Sequence, residues 1–434
     1  MPTRTIRLAS ALLLSFATAA FGADQNAIGA GNDRALEIAG KSPLVQSAMA
    51  FLRQETARIH DPKLERETLD AFSNPQTCIA HRAHLTDKDK ADVITALIDA
   101  GLVDAAAGKD FPGGLQAGVF PPVRDDGSPC PHLPQAFDAA PGSVFQGHHS
   151  YPGGLAMHEA FNDISDLSLA ADYRMVYGHF DAGGLPTIDI HGDAGFAQSA
   201  GDLGINQDLI IAAPIWHDWG KTLVFQWNAD GSEFQELNFG GNGTSDNYGA
   251  RGDSRTPGHH IIGLAESIKR GLSPALVITQ ASAHAAPTLG NEFKVVNWIR
   301  AAAIMARIDP VATGYLSKDS TGQLRLPALG ATGSFDLRTA SNVSPPFLPE
   351  FAIHNLSDAN YYLAVPAAFD LGLILANLAP EFGIDPKDQA SFNNHFRNPV
   401  LAYFSAERLI FVYAREGIDG VRKQVRHLRD AGLI

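Results

Sequence analysis

Apolar residues recur every three or four positions over most of this chain, the spacing of helices that bury one face. Residues 42–60 and 62–72 carry it first. Thr86-Asp-Lys-Asp then reads as a helix start, followed by Val93, Ile94, Leu97 and Ile98 and a stop at Gly101. Glycine and proline break the pattern over 108–145, which reads as an irregular connection.

The helical spacing resumes after Gly153-Gly154, with His158 in the first turns and Phe161, Ile164 and Leu167 behind it. A Gly/Asp-rich stretch, 177–204, reads as an inserted loop. Asn206 is placed to cap a helix that ends at His217-Asp218. Beyond Lys221, the alternating segments 222–227 and 234–239 flank Asn228-Ala-Asp-Gly231, which predicts a β-hairpin. A polar loop over 240–255 leads to Thr256-Pro257, where proline opens a helix with His259 and His260 in its first turn. Ser273-Pro274 opens another, running to His284, and a third extends from Glu292 to Asp309 ahead of Pro310. Residues 311–350 read as loop-rich and 369–434 as mostly helical. The fold class expected is mainly α, with a small β-hairpin insertion and helical N- and C-terminal extensions.

Composition changes this picture little: 434 residues, 45% hydrophobic and 18% charged, suit a globular protein with a sizeable core. Charge narrows the function. A net charge of -14 repels polyanions, which argues against broad nucleic-acid binding and leaves room for a local pocket for a small anion. At the N-terminus, Arg4 and Arg7 precede an apolar run over 8–21, and Ala20-Phe-Gly22 before Ala23 offers small residues for cleavage. Residues 1–22 therefore read as a secretory signal, and the run is short for a membrane anchor. The later apolar stretch 363–378 is interrupted by Pro366 and Asp370, so no membrane span is expected after signal removal. The expected location is outside the cytoplasm, periplasmic in a Gram-negative cell and otherwise secreted. Export makes a bridge between Cys78 and Cys130 plausible, worth roughly 3–5 kcal/mol if formed; two separate thiols are the alternative.

The chemistry centres on the stretch 211–221, where an apolar run leads into His217-Asp218-Trp-Gly-Lys221. A carboxylate at the end of such a run is costly unless positive charge meets it. Imidazole and carboxylate together suit a borderline divalent cation. Successive helical segments carry His158, His217-Asp218, His259, His284 and Asp309, several at helix ends where side chains can converge. Any one histidine is more simply a hydrogen-bonded core or surface residue; the ordered set with two aspartates favours a metal site.

In that order, the chain resembles the HD-domain superfamily of metal-dependent phosphohydrolases, most nearly the branch of bacterial 3′–5′ exoribonucleases. The likeness rests on His148-His-Ser-Tyr-Pro-Gly-Gly-Leu155, His217-Asp-Trp-Gly-Lys221, and Gly258-His259 with Gly263, and covers about 145–310. It implies an HD-type helical bundle over 145–310, flanked by a helical region with a Gly/Pro-rich connection (23–144) and by a loop followed by helices (311–434). It further implies one metal held by His158, His217, Asp218 and Asp309. In two-metal members Asp218 would bridge to a second ion on His259 and His284, with His260 competing for His259's place. Two such ions clamp a phosphate and lower the pKa of bound water. Lys221 would hold a phosphoryl oxygen, with His149, Arg255, His148 and Arg251 as further candidate contacts.

The function expected is hydrolysis of a phosphomonoester or phosphodiester in a small nucleotide-like substrate by metal-activated water, with Asp218 and Lys221 as catalytic residues. The cofactor is one or two divalent ions, with manganese, iron, zinc, nickel and magnesium all open. The stretches between His158 and His217 and after Lys221 depart from the family pattern and border the substrate entrance. No basic, aromatic-interleaved segment suggests an RNA substrate. Two other readings stay open: a di-iron oxygenase of the same fold, and a non-catalytic metal- or ligand-binding exported protein.

Overall fold

A computed structural model describes residues 28–124, 127–144, 147–188, 203–233, 235–239, 254–288, 290–329 and 348–434. The expected signal segment lies outside them, as do Arg251, half of the 177–204 loop and most of the 240–255 loop. The protein is mainly α-helical, and its strands, among the described residues, form two-stranded antiparallel ladders of two residues each.

Three N-terminal helices come first: α1 (Asn32–Lys41), α2 (Pro43–Thr56) and α3 (Pro62–Ser73). The pattern read above missed α1. Ser42 and Asp61 cap α2 and α3, each with proline at the first helical position, and a full capping box at Thr86 and Asp89 starts α4 (Asp87–Asp99). Within the Gly/Pro-rich connection lies one short helix, α5 (Gly114–Val119). Next are α6 (Gly154–Tyr177), α7 (Gln207–His217) and a four-residue α8 (Lys221–Val224). Then α9 (Gly258–Lys269), α10 (Pro274–Ser282) and α11 (Glu292–Ala306) pack in sequence. The C-terminal part holds α12 (Pro349–Ser357), α13 (Tyr361–Leu378), α14 (Gln389–Phe392), α15 (Asn398–Phe404) and α16 (Ala406–Asp430).

One hydrophobic core runs from α1 to α12, so the N-terminal helices share it with the histidine-bearing ones. α2 and α3 lie against α6 and α7, and two indoles lock that packing. Trp216 Nε1 donates to Thr68 Oγ1 and Trp219 Nε1 to the Ala71 carbonyl, both at 2.9 Å. A second core joins α13, α15 and α16. The stretch Pro349–Phe382 is long and apolar enough to cross a membrane; in α13 Ala364, Ala367, Ala368, Leu371, Leu375 and Leu378 are buried within the protein, while Tyr362, Leu363, Val365, Phe369 and Leu373 are exposed.

The hairpin expected after Lys221 forms only at its turn. Asn228 N–H donates to the Ser232 carbonyl and Trp227 bridges Glu233, but the first arm is α8, and Asn238–Phe239 pairs with Thr256–Pro257 instead. Tertiary packing overrides the alternation: Leu223, Val224, Phe225 and Trp227 are all buried.

Two long-range ties fix α9. Cys78 and Cys130 are bridged, with Cα atoms 5.5 Å apart. Beside Cys78, the buried Glu266 of α9 accepts from the Ala80 and His81 backbone N–H groups, from His81 Nδ1 at 2.7 Å and from Arg270 Nε at 2.7 Å. Burial opposes its ionisation, but His81 and Arg270 bring its pKa down to about 2 from 4.5. A depressed carboxyl contributes stability above pH 4.5 that fades as pH falls towards 2. Glu266→Gln should therefore flatten the acid limb of a pH–stability curve in that window, which urea titrations at each pH would measure. Replacing both cysteines by alanine should cost about 4 kcal/mol, given a closed loop of 52 positions, read as a lower urea midpoint with a somewhat larger m-value from the freed denatured chain.

Candidate metal centre

The His-Asp pair owes its position to two close backbone approaches. Gly220 lies so near the start of α9 that a Cβ there would sit 2.1 Å from the His259 carbonyl oxygen. Glycine therefore lets the end of α7 press onto α9, bringing His217, Asp218 and His259 together. Similarly, a Cβ on Gly154 would meet the His149 carbonyl at 1.8 Å, and Gly153 is left-handed at φ 85°. The Gly-Gly pair thus folds the His148-His149 loop back over the first turn of α6, which carries His158.

Asp218 lies at the centre, 1% exposed. His158 Nε2 is 3.1 Å and His217 Nε2 3.3 Å from its Oδ2, while His259 Nε2 is 3.0 Å from its Oδ1. Lys221, also buried, ion-pairs with Oδ2. His284, two residues past α10, joins Asp218 and His259 in one ligand-sized cluster; His158, Glu159, His217 and Asp218 form another.

The second aspartate beside His158 and His217 is Asp358, not Asp309. Its Oδ1 lies 3.2 Å from His158 Nε2 and 3.5 Å from His217 Nε2. Asn162 Nδ2 holds both partners, 3.2 Å from His158 Nε2 and 3.4 Å from Asp358 Oδ1. Asp309 instead is exposed, its Oδ1 accepting from the Val311 and Ala312 N–H groups to cap a turn. The expectation failed because α11 does not reach Pro310: Arg307 adopts a left-handed conformation at φ 57° and ends the helix at Ala306, turning Asp309 away.

Hydrogen bonds orient the rings. His217 Nδ1 donates to the Pro214 carbonyl at 2.7 Å, and His259 Nδ1 donates to Glu236 Oε2 at 2.8 Å, so both present Nε2 to Asp218. Behind His217, His354 packs edge-on with ring centroids 4.9 Å apart, and its Nδ1 lies 3.1 Å from Asp166 Oδ2. Sequence reading missed Asp358, Glu236, Glu159, Asp166 and His354; the spacing of His354 and Asp358 by four, one helical turn, was the available signal.

The electrostatics are those of carboxylates surrounded by donors. Burial would raise Asp218, but His217, Lys221 and His259 hold it well below the usual range. Asp358 is likewise lowered, against burial, by His158 and His217. The cost falls on the rings. His217 rises well above its ordinary value, against burial, because Asp218 and Glu159 face it, and burial lifts Glu159 to about 7. His284, without its own carboxylate, is pushed by burial and by His259 down to about 3.

This donor set fits a divalent cation. His217 Nε2, His259 Nε2 and both Asp218 oxygens are buried and make no well-directed hydrogen bond. His158 Nε2 and His217 Nε2 each lie 3.1–3.5 Å from both Asp218 Oδ2 and Asp358 Oδ1, close to the edges of about 3.0–3.4 Å that bonds of about 2.1 Å to one ion give. Asp218 Oδ1, His259 and His284 would hold a second.

His148 is half-buried and His149 buried, with rings 4.6 and 5.3 Å from His158. Of the residues expected to touch substrate, Lys221 and His149 are therefore at the centre, whereas Arg255 is exposed, four residues before His259. His260 belongs to neither ligand cluster; its buried ring lies 4.3 Å from that of His284 and 4.8 Å from the Trp298 indole.

Asp358→Asn should weaken binding of the first Zn2+ at least ten-fold in calorimetric titration, while Asp309→Asn leaves it unchanged. Glu236→Gln should cost about 10–100-fold in affinity for the second ion by freeing the His259 ring. Compared with models of protein families, with curated proteins and with solved structures, the chain gives no significant match.

Proposed function

We propose that this protein is a metal-dependent phosphohydrolase of the HD type, acting on a phosphomonoester or phosphodiester of a small nucleotide-like substrate. One observation carries the reading: four imidazoles and two carboxylates converge on a buried point, with Lys221 beside them. Divalent ions bound there would polarise a phosphoryl oxygen and make a nucleophile of water near neutral pH.

The chain's own residues do the rest. Lys221 and His148 line the centre next to Asp218 and His158, placed to receive phosphoryl oxygens as donors. Asp218 reaches both ligand clusters and so fixes their separation. His284, His148 and Asp358 are only partly buried, whereas His217 and Asp218 are not exposed, so substrate approaches from their side. Pro214 and Glu236 keep the His217 and His259 rings oriented, and Asn162 keeps Asp358 oriented, before substrate arrives, which spares reorganisation during reaction. An exported location agrees with the bridged cysteines, since disulfides persist in oxidising compartments.

Purified protein given Mn2+, Zn2+ or Fe2+ should release phosphate or nucleoside from p-nitrophenyl phosphate, bis-p-nitrophenyl phosphate or a nucleotide panel. Chelation should stop it, and Asp218→Ala should lower the rate by at least about 10³-fold. Activity that survives Asp218→Ala contradicts the proposal. So does iron-dependent oxygen consumption with a polyol and no phosphate release, which would select the oxygenase.

A further inference from the structure

The ring of His158 breaks the rule that His217 and His259 obey. A metal-bound imidazole ordinarily donates its second N–H to a carbonyl or carboxylate. His217 uses the Pro214 carbonyl and His259 uses Glu236, but His158 Nδ1, 1% exposed at the residue, finds no hydrogen-bond partner among the described residues. A buried N–H without an acceptor costs about 1–3 kcal/mol. What lies beside that ring is two more histidines. One nitrogen each of His148, His149 and His158 falls within 4.8 Å of the others.

The loop is built to aim them. His149 takes a left-handed backbone at φ 53°, unusual for a residue other than glycine, and it is held there by Gly142 and Gly154 on either side. Its Nε2 lies 3.2 Å from Glu407 Oε1 of α16, a carboxylate close behind the ring but without hydrogen-bond geometry. That leaves Nδ1 facing His148 Nδ1 at 3.5 Å. The distance is long for a hydrogen bond between two rings, but close to the ~3.3 Å between two nitrogens on one tetrahedral zinc. The Lys221 ammonium is an electrostatic neighbour of both rings. The ammonium of Lys221 is itself balanced by Asp218.

We infer that His148, His149 and His158 form a further site for a borderline divalent cation such as Zn2+, with His158 as a bridging imidazolate. Its Nε2 serves the Asp218–Asp358 cluster and its Nδ1 the new site, the Nδ1 proton passing to solvent as the ion binds. Three imidazoles leave a fourth position open for water or an anionic oxygen, so a substrate with more than one phosphate could span this site and the central pair. The inference rests on the metal-centre reading above.

The test is the metal stoichiometry of the full chain, stripped with chelator and titrated with Zn2+ by calorimetry, with bound metal counted after gel filtration. Wild type should bind about three equivalents, and His149→Ala and His148→Gln about two each, with circular dichroism and melting temperature unchanged. Because His149 has a strained backbone, His148→Gln on the half-buried ring decides the matter if His149→Ala unfolds. With Co2+, wild type should show tetrahedral visible absorption that both variants lose in part. Wild type binding two equivalents, with no loss in either variant, overturns the third site and leaves the central pair standing. Wild type binding none overturns both.

Discussion

A single buried carboxylate governs this structure. Asp218 has almost no contact with solvent, and an isolated ionised carboxyl there would be prohibitively costly. Its neighbours answer that cost: three imidazoles and one ammonium come within ion-pair distance. Much of the surrounding fold follows from delivering those groups. The prolines and caps at helix starts, the glycines at helix contacts and the two tryptophans that pin the end of α7 to α3 all bring α6, α7 and α9 to one point.

A site of this kind is a liability for stability. Breaking a buried ionic cluster from one side is more damaging than replacing it whole, so such groups persist where they serve chemistry. Support from outside the cluster is correspondingly dense. Glu236, Asp166, Asn162 and the Pro214 carbonyl each orient one ring or carboxyl, while Glu266 with His81 and Arg270 anchors α9 to the segment held by the Cys78–Cys130 bridge. The C-terminal helices belong to the same scheme. α12 supplies His354 and, at its C-cap, Asp358, and α16 places Glu407 behind His149.

Helix positions were largely legible in the sequence because caps, prolines and apolar spacing agree at α2, α3, α4, α7 and α10. His158, His217, Asp218, His259 and His284 could be placed together because they sit at or near the ends of successive helices. Asp309 could not be judged, since the left-handed turn at Arg307 has no marker such as glycine. Asp358 went unseen for a different reason. It caps the end of α12, about 140 positions beyond Asp218, where its spacing of four from His354 was the one local sign of the site. The hairpin failed because period-two alternation in 222–227 coincides with a segment buried on all sides, where periodicity stops discriminating.

Anomalous diffraction at the zinc edge from crystals grown with Zn2+ tests the central claim most directly. The account predicts a strong peak about 2.0–2.2 Å from His158 Nε2, His217 Nε2, Asp218 Oδ2 and Asp358 Oδ1. A crystal in which those four atoms surround no peak, while zinc occupies a site elsewhere on the chain, would contradict it.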